Sequence, residues 1–542
     1  MRHISSFIHY SSLFTILALT ACTSAPYALQ TVTPKRIEVT KALDANPVPE
    51  AAAFMTPYRA GVDSIEAPYI GQSEQYMASH RPESLLSNWV ADAFVTTAKA
   101  EGIEADFGLC NIGGLRAAMP QGTIRRGDII AISPFENFFT IVKLKGTDVQ
   151  ALMKNIAVVH GEGLSSAVRL VVTLSGEVRS ATISGQPIDP DRIYTIATLD
   201  YLAEGNDKLS AMKKAVERND TKLTVRDLLL NRLRQLDQQG QKAHAAIEGR
   251  VVIEDYVEPA KEEKKVTAAA PLMPLAVREG ALTKTKQLLI VHTNDTHSCV
   301  EPLNPNLADT TLADKGGYMR RAALIRQLRE QDPNLLLLDA GDFSQGSAYY
   351  NLYHGDVEVG LMNLMGYDAA TIGNHEFDFG VENMARLFRK AEFPIVCCNY
   401  DFTGTAVEGI VKPYTIIKRN GLKIGIFGLS PQLDGLVAAH TCQGVRFIDP
   451  VEAAQPVADY LKETERCDLV ICLSHLGWDV AGISDEELIP ATRNIDIVIG
   501  GHSHTYYTNP KFLKNLDGAI VPNNQMGKNA QFVGTLRLLM GK

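Results

Sequence analysis

The stretch Gly373-Asn-His-Glu-Phe-Asp-Phe-Gly380 brings three kinds of chemistry together. Asn374 offers an amide oxygen to a metal ion, and His375 gives or takes a proton near neutrality. Asp378 follows three residues on, where a turn folds its carboxylate onto that imidazole and fixes its tautomer. Other segments likewise end an apolar run on residues of metal-ligand type. Leu-Leu-Ile-Val-His-Thr-Asn leads into Asp295-Thr-His297, and Leu335-Leu-Leu-Leu-Asp-Ala-Gly leads into Asp342. Ala370-Thr-Ile-Gly leads into Asn374, Val470-Ile-Cys-Leu-Ser into His475, and Ile497-Val-Ile-Gly-Gly into His502-Ser-His504. One such loop alone is a polar turn; several together read as a site. Carboxylate, imidazole and amide ligands suit borderline or hard transition ions, and the lack of a paired thiolate set argues against a Cys-rich structural zinc site. Asp295, His297, Asp342, Asn374, His475, His502 and His504 are more ligands than one ion needs. Two ions about 3.5–4 Å apart, bridged by one carboxylate, account for the number.

Such a set needs strand ends to hold it. From Gln287 to Lys542 the chain alternates strands and helices. Strands are predicted over 288–292, 335–338, 393–398, 423–427, 469–473 and 495–499, with helices over 317–331 and 357–365. This alternation implies parallel strands buried on both faces, and in open α/β sheets ligands bind at the carboxyl ends of the strands.

A first globular segment covers 60–257. Leu85, Leu86, Trp89, Val90, Ala93 and Phe94 recur at helical spacing, which predicts one buried face. Strand signals at 106–110, 139–144, 169–174 and 193–199 give a mixed α/β layer structure. The first of these delivers Asn111-Ile-Gly-Gly-Leu-Arg116, where paired glycines admit a close ligand and Arg116 presents a planar fork. Between the segments, 258–286 is charged and Pro-containing without a period, which reads as a linker.

With 542 residues the chain is too long for one core, so two domains are expected. The formal charge of −9 argues against a nucleic-acid polymer as partner. At the N-terminus, Arg2 and His3 precede the apolar run Leu13–Leu19, too short to span a bilayer. Leu19-Thr20-Ala21-Cys22 resembles a bacterial lipoprotein cleavage box, which implies residues 1–21 as a signal peptide and Cys22 as a lipid-anchored first residue in the cell envelope, periplasmic or surface-exposed. An ordinary signal peptide or a frayed terminus is the alternative. The Ala-, Pro- and Thr-rich residues 22–59 are expected to form a loose tether. The seven remaining cysteines show no regular spacing, so no disulfide framework is expected. Cys397 and Cys472 read as small core residues, and Cys299, two after His297, as a further candidate ligand.

Asp295-x-His297, Gly341-Asp342, Gly373-Asn374-His375-Glu376, His475 and Gly501-His502-Ser-His504 resemble the calcineurin-like metallophosphoesterase family in order and spacing. Gly341-Asp-Phe-Ser-Gln-Gly-Ser347 is similar to the 5'-nucleotidase branch. The first segment resembles the substrate-binding domain of the same enzymes, usually found after the phosphatase, so the domain order is reversed. Asn111-Ile-Gly-Gly-Leu-Arg116, Pro134-Phe135 and Tyr201-Leu-Ala-Glu-Gly-Asn-Asp207 carry that likeness; Asn206 and Lys208 stand where the family generally has glycines.

The resemblance implies a four-layer α/β sandwich in the second domain and two divalent ions (manganese, zinc or iron). Asp295, His297 and His504 would hold one ion, Asn374, His475 and His502 the other, with Asp342 between. It implies a base sandwiched between Phe135 and Tyr201, polar contacts from Asn111 and Asp207, and Arg116 on the phosphate side, with Arg81 as a second basic contact. His375, steadied by Asp378, would stabilise the transition state or protonate the leaving group; Glu376 reads as a structural turn residue. The expected activity is cleavage of nucleoside 5'-monophosphates to nucleoside and phosphate. The alternatives are a 2',3'-cyclic-nucleotide phosphodiesterase/3'-nucleotidase, a nucleotide-sugar diphosphatase, or a non-catalytic nucleotide-binding surface protein.

Overall fold

The computed structural model describes residues 26–254, 284–304, 312–480 and 482–542. The expected leader, Cys22 and nearly all of the expected linker lie outside these residues. Among the described residues no helix is long and apolar enough to cross a membrane.

The second domain is built on two sheets packed face to face. In the first, Thr285–Thr293, Leu336–Asp339 and Ala369–Ala370 run parallel, with Phe532–Gly541 antiparallel to Thr285–Thr293. In the second, Leu422–Leu429, Leu469–Ser474, Ile497–Gly500 and Ile520–Asn524 are parallel neighbours, flanked by antiparallel edge strands Tyr414–Arg419 and Lys511–Lys514. The two-residue period of a strand sorts their side chains. Leu288, Ile290, Leu336 and Leu338 meet Ile471, Leu473, Ile497 and Ile499 in one core between the sheets. Leu289, Val291, Leu335 and Leu337 turn outward onto Ala322, Ile325 and Leu328 of the Tyr318–Gln331 helix. On the far side, Val470, Cys472 and Val498 pack under Ala454, Ala458 and Leu461. The result is helix, sheet, sheet, helix, as the resemblance implies. One predicted strand does not form a ladder: residues 393–398 make only isolated bridges, Ala370 with Ile395 and Val396 with Lys412.

In the first domain, a five-stranded mixed sheet has Ile193–Leu199 at its centre, antiparallel to Phe138–Lys145 and parallel to Phe107–Cys110. The Leu85–Ala100 helix covers it with Leu86, Trp89, Val90, Ala93 and Phe94 buried.

The expected loose tether is corrected: residues 28–38 and 49–66 are folded. Ala28–Glu38 is an edge strand of the second domain, paired antiparallel along Phe532–Gly541. Its Pro34 is tolerated because an edge strand leaves one side of its backbone unpaired. Pro49–Glu66 is a helix that buries Ala51, Met55 and Val62. It lies against both domains. Its Gly61 leaves no room for a side chain beside the Tyr353 hydroxyl, and Glu66 abuts Gly127 of the first domain. Arg59 pairs with Glu301 at 3.1 Å, and Ile130 of the first domain is buried in the outer core of the second. The chain therefore passes from the second domain's sheet, through this helix, into the first domain, and later returns.

Candidate active site between the two domains

The predicted ligands sit at the carboxyl ends of the second domain's parallel strands, on both sheets. Asp295, His297, Asp342, His502 and His504 all take positive φ, between 43° and 68°. For residues with a Cβ this backbone is sparsely populated, and a run of such residues points to loops shaped by function. Gly373 is required where two loops cross, because a Cβ there would run into the Asp342 carboxylate.

The side chains converge. His475 Nε2 lies 3.1 Å from Asp342 and 3.8 Å from Asp295. His504 Nε2 lies 3.4 Å from Asp295 and 2.9 Å from His297 Nε2. His502 Nδ1 is 3.0 Å from the Asn374 amide oxygen. Asp295, His297 and His504 present ligand atoms all within 4.8 Å of one another, and so do Asp342, His475 and His502. Cys299 stands apart, with its thiol donating to the Glu301 carbonyl, and belongs to neither cluster.

This donor set fits divalent cations. His475 Nδ1 is committed to the Ala340 carbonyl at 2.6 Å, so the buried Nε2 is the ring nitrogen left to the Asp342 and Asp295 carboxylates. Burial opposes charge on this ring, yet Asp342 and Asp295 outweigh burial and hold its protonated form up to about 10. The cradle therefore calls for positive charge at this point. His297 Nε2 and His504 Nε2 share one hydrogen bond at 2.9 Å, and the same two nitrogens are close enough to bind one divalent ion.

His375 stands at the edge of this cradle. Its Nδ1 is 3.1 Å from Asp378, and its backbone N–H donates to Asp342 at 2.8 Å. Burial pulls its pKa down, but Asp378 and Asp342 together raise it above the ordinary value. Glu376 braces the loops: its carboxylate accepts from the N–H groups of Asp342 (3.0 Å), Ser344 (3.1 Å) and Gly373 (2.6 Å). Burial, with the Asp342 charge added, pushes the Glu376 carboxyl up to about 7.

A cavity of about 330 Å³ opens from His375 toward the first domain. Asn111, Arg116, Phe135, Tyr201 and Asp207 line one side; Asn374, His375 and Asp378 line the other. The Phe135 ring centre is 5.8 Å from that of His375, and the Arg116 guanidinium is 5.9 Å from the Phe135 ring centre. Asp207 accepts from the Tyr201 hydroxyl at 3.0 Å and from the Asn111 amide at 2.6 Å. Lys208, in a position where glycine was expected, takes φ +65°, a conformation that would be free of strain for glycine. Asn206, in the other, is buried with its amide nitrogen unpartnered.

Arg81 is a correction. It does not line the cavity; it donates to the Gly161 carbonyl and pairs with Glu162. Glu162 in turn accepts from the Ile112 N–H, so Arg81 supports the Asn111–Arg116 loop from behind. Sequence reasoning gave no role to Gln345, Tyr350 and Asn351, nor to Leu436, Val437, Ala438, His440 and Thr441, which also line the cavity. The Gln345 amide lies inside the recognised Gly341–Ser347 motif and Asn351 follows it, whereas Leu436-Val-Ala carries no polar signal and reads as core.

Comparison with known proteins agrees with this geometry. Residues 288–506 match the calcineurin-like phosphoesterase family, and residues 69–214 match the 5'-nucleotidase C-terminal domain. The 5'-nucleotidase of Rattus norvegicus is 33% identical over 292 residues, covering 50% of this chain and 48% of that protein. The snake venom 5'-nucleotidase of Naja atra is 36% identical over 225 residues, covering 41% of each. Among solved structures, the 5'-nucleotidase precursor of Thermus thermophilus is 31% identical, covering 46% of this chain and 51% of that one, with a TM-score of 0.42. The chain spans about half the length of the curated relatives it matches. Fold and site together are those of a calcineurin-like phosphoesterase domain with clustered candidate metal ligands. The chain therefore carries a calcineurin-like phosphoesterase domain and, ahead of it, a domain matching the one that 5'-nucleotidases carry at their C-terminus.

Proposed function

We propose that this protein hydrolyses nucleoside 5'-monophosphates to nucleoside and phosphate, using two divalent ions held by Asp295, His297 and His504 on one side and Asn374, His475 and His502 on the other, with Asp342 between. The observation that carries this reading is the single cavity joining an aromatic and polar wall, Phe135, Tyr201, Asn111 and Asp207, to the ligand cluster beside His375. Stacking suits any nucleobase, so base preference falls to the polar edge. Arg116, half-buried with Asp342, Asp378 and Asp295 as the carboxylates that act on it most strongly, is suited to neutralise a phosphoryl group. When bound, the divalent ions supply positive charge against the phosphoryl oxygens and an acidified water as nucleophile. His375, its Nδ1 held by Asp378, presents Nε2 to stabilise the transition state or to protonate the departing ribose oxygen. Attachment to a bacterial cell envelope through Cys22 belongs to the same proposal and rests on the Leu19-Thr20-Ala21-Cys22 box.

The test is product analysis on a nucleotide panel with the metal-loaded protein. Release of phosphate and nucleoside from 5'-monophosphates is expected. Inactivity on all of them, with turnover of 2',3'-cyclic nucleotides or nucleotide sugars, would reassign the substrate. His375→Ala is expected to lower kcat by about 10²–10⁴-fold while nucleotide binding persists; unchanged hydrolysis would remove His375 from the mechanism.

A further inference from the structure

Gln345 has an amide that no group among the described residues satisfies. The residue is 2% exposed, neither its Nε2 nor its Oε1 has a hydrogen-bond partner, and it lines the interdomain cavity. A side-chain amide carries two donors and two acceptor lone pairs, and buried polar groups in folded proteins are nearly always paired. An amide left bare at the wall of a substrate cavity is therefore expected to find its partner in what the cavity binds.

The surrounding backbone holds this amide in place. Glu376 accepts from the N–H groups of Asp342 and Ser344, which fixes the chain just before Gln345. Gly346 packs against the His297 carbonyl with no space for a Cβ, and Ser347 Oγ lies 2.6 Å from Ser298 Oγ, which fixes the chain just after. Gln345 itself sits at φ +66°, a conformation held only where neighbours impose it. Its loop starts at the metal-ligand candidate Asp342 and abuts another, His297, whereas the residues suited to the base all belong to the other domain. Gln345 therefore belongs to the wall of the cavity built by the ligand-bearing loops, not to the wall built by Asn111, Phe135 and Tyr201.

We infer that Gln345 is a substrate-positioning residue whose Nε2–H donates to a non-bridging phosphoryl oxygen. The inference rests on the reading of the cavity as a phosphoryl-ester site, and it concerns the phosphoryl group whichever alcohol leaves. A neutral amide there orients the phosphoryl oxygen without adding the charge that Arg116 already supplies.

The experiment compares wild type, Gln345→Met and Gln345→Glu, all loaded with manganese. Calorimetric titration with inorganic phosphate and, separately, with adenosine is read beside kcat/KM for AMP and for p-nitrophenyl phosphate, metal content and thermal midpoint. Losing one hydrogen bond to a charged oxygen is expected to weaken phosphate binding by about ten- to hundredfold in Gln345→Met, and further in Gln345→Glu through repulsion. Adenosine affinity and metal content should hold, and kcat/KM should fall by similar factors for both esters. Phosphate affinity unchanged in both variants would overturn the inference, and so would a loss confined to adenosine. If Gln345→Met does not fold, Gln345→Asn keeps an amide but withdraws it by one methylene; unchanged phosphate affinity there also overturns it. Wild-type turnover of p-nitrophenyl phosphate but of no nucleotide would sink the nucleotidase reading alone, and the phosphate titration would still decide the role of Gln345.

Discussion

Replacing Glu376 by alanine tests how the ligand loops are held. Its buried carboxylate accepts three backbone N–H groups, from Asp342, Ser344 and Gly373, and so ties the loop carrying Asp342 to the loop carrying Asn374 and His375. A buried donor stripped of its acceptor costs about 1–3 kcal/mol. Water can enter the space left by the carboxylate and the three losses are not independent, so the low end applies to each and the sum is about 3 kcal/mol. For a domain of this size that lowers the thermal midpoint by roughly 6–12 °C. Glu376→Gln keeps one acceptor oxygen but turns an NH₂ toward backbone donors, and should fall between the two. The assay is calorimetric melting of metal-free protein at pH 8, above the Glu376 value of about 7, followed by titration with manganese. The expected result is a lower midpoint of the second domain's transition and weaker manganese binding, because Asp342 and Asn374 lose their common brace. A Glu376→Ala protein melting within 2 °C of wild type (roughly 1 kcal/mol or less) and binding manganese equally well would refute the reasoning.

Phe135→Ala should weaken nucleotide binding by about 1–3 kcal/mol, seen as a raised KM for AMP with little change for p-nitrophenyl phosphate; an equal loss on both esters would mean that the ring acts on the phosphoryl end. Arg81→Ala should leave kcat near wild type and lower the melting temperature of the first domain modestly, since its partly exposed guanidinium serves Glu162 and not the cavity; a large, selective rise in KM, read from nucleotide kinetics, would return it to the substrate. His292 is buried beside Gly534, accepts from the Asn524 amide through Nε2, and has its pKa lowered by burial to about 3 from its ordinary 6.5. The unfolded chain therefore binds the proton first, so this contribution is complete above pH 6.5 and falls by about 1.4 kcal/mol per pH unit as pH drops toward 3. Urea unfolding of metal-free protein should show a shallower acid slope in His292→Leu, and parallel slopes would contradict this assignment.

The sandwich was legible because strand period and apolar content agree: Leu288 and Ile290 against Leu289 and Val291 sort to opposite faces, and ligand-type residues follow directly where those runs end. The aromatic and polar wall was legible through resemblance in short motifs. What escaped has physical reasons. Ala28–Glu38 is stabilised by backbone pairing along a sheet edge, which needs little from side chains, so an Ala-, Thr- and Pro-containing stretch reads as loose. The Pro49–Glu66 helix did carry a signal, the 51, 55 and 62 spacing of its buried residues, obscured by Pro57 within it. Residues 393–398 are apolar enough for a strand but meet their neighbours only through isolated bridges. Arg81 has the right type and lies near the right motif in sequence, yet the Glu162 carboxylate claims it. Leu436–Thr441 reaches the cavity only by way of the tertiary fold.

The most direct measurement is phosphate release from a nucleoside 5'-monophosphate as manganese is titrated into chelator-stripped protein. Activity absent at the start and rising to a plateau at two equivalents per chain is the predicted result. No release at any stoichiometry, or saturation at a single equivalent, would contradict the paired-ion site.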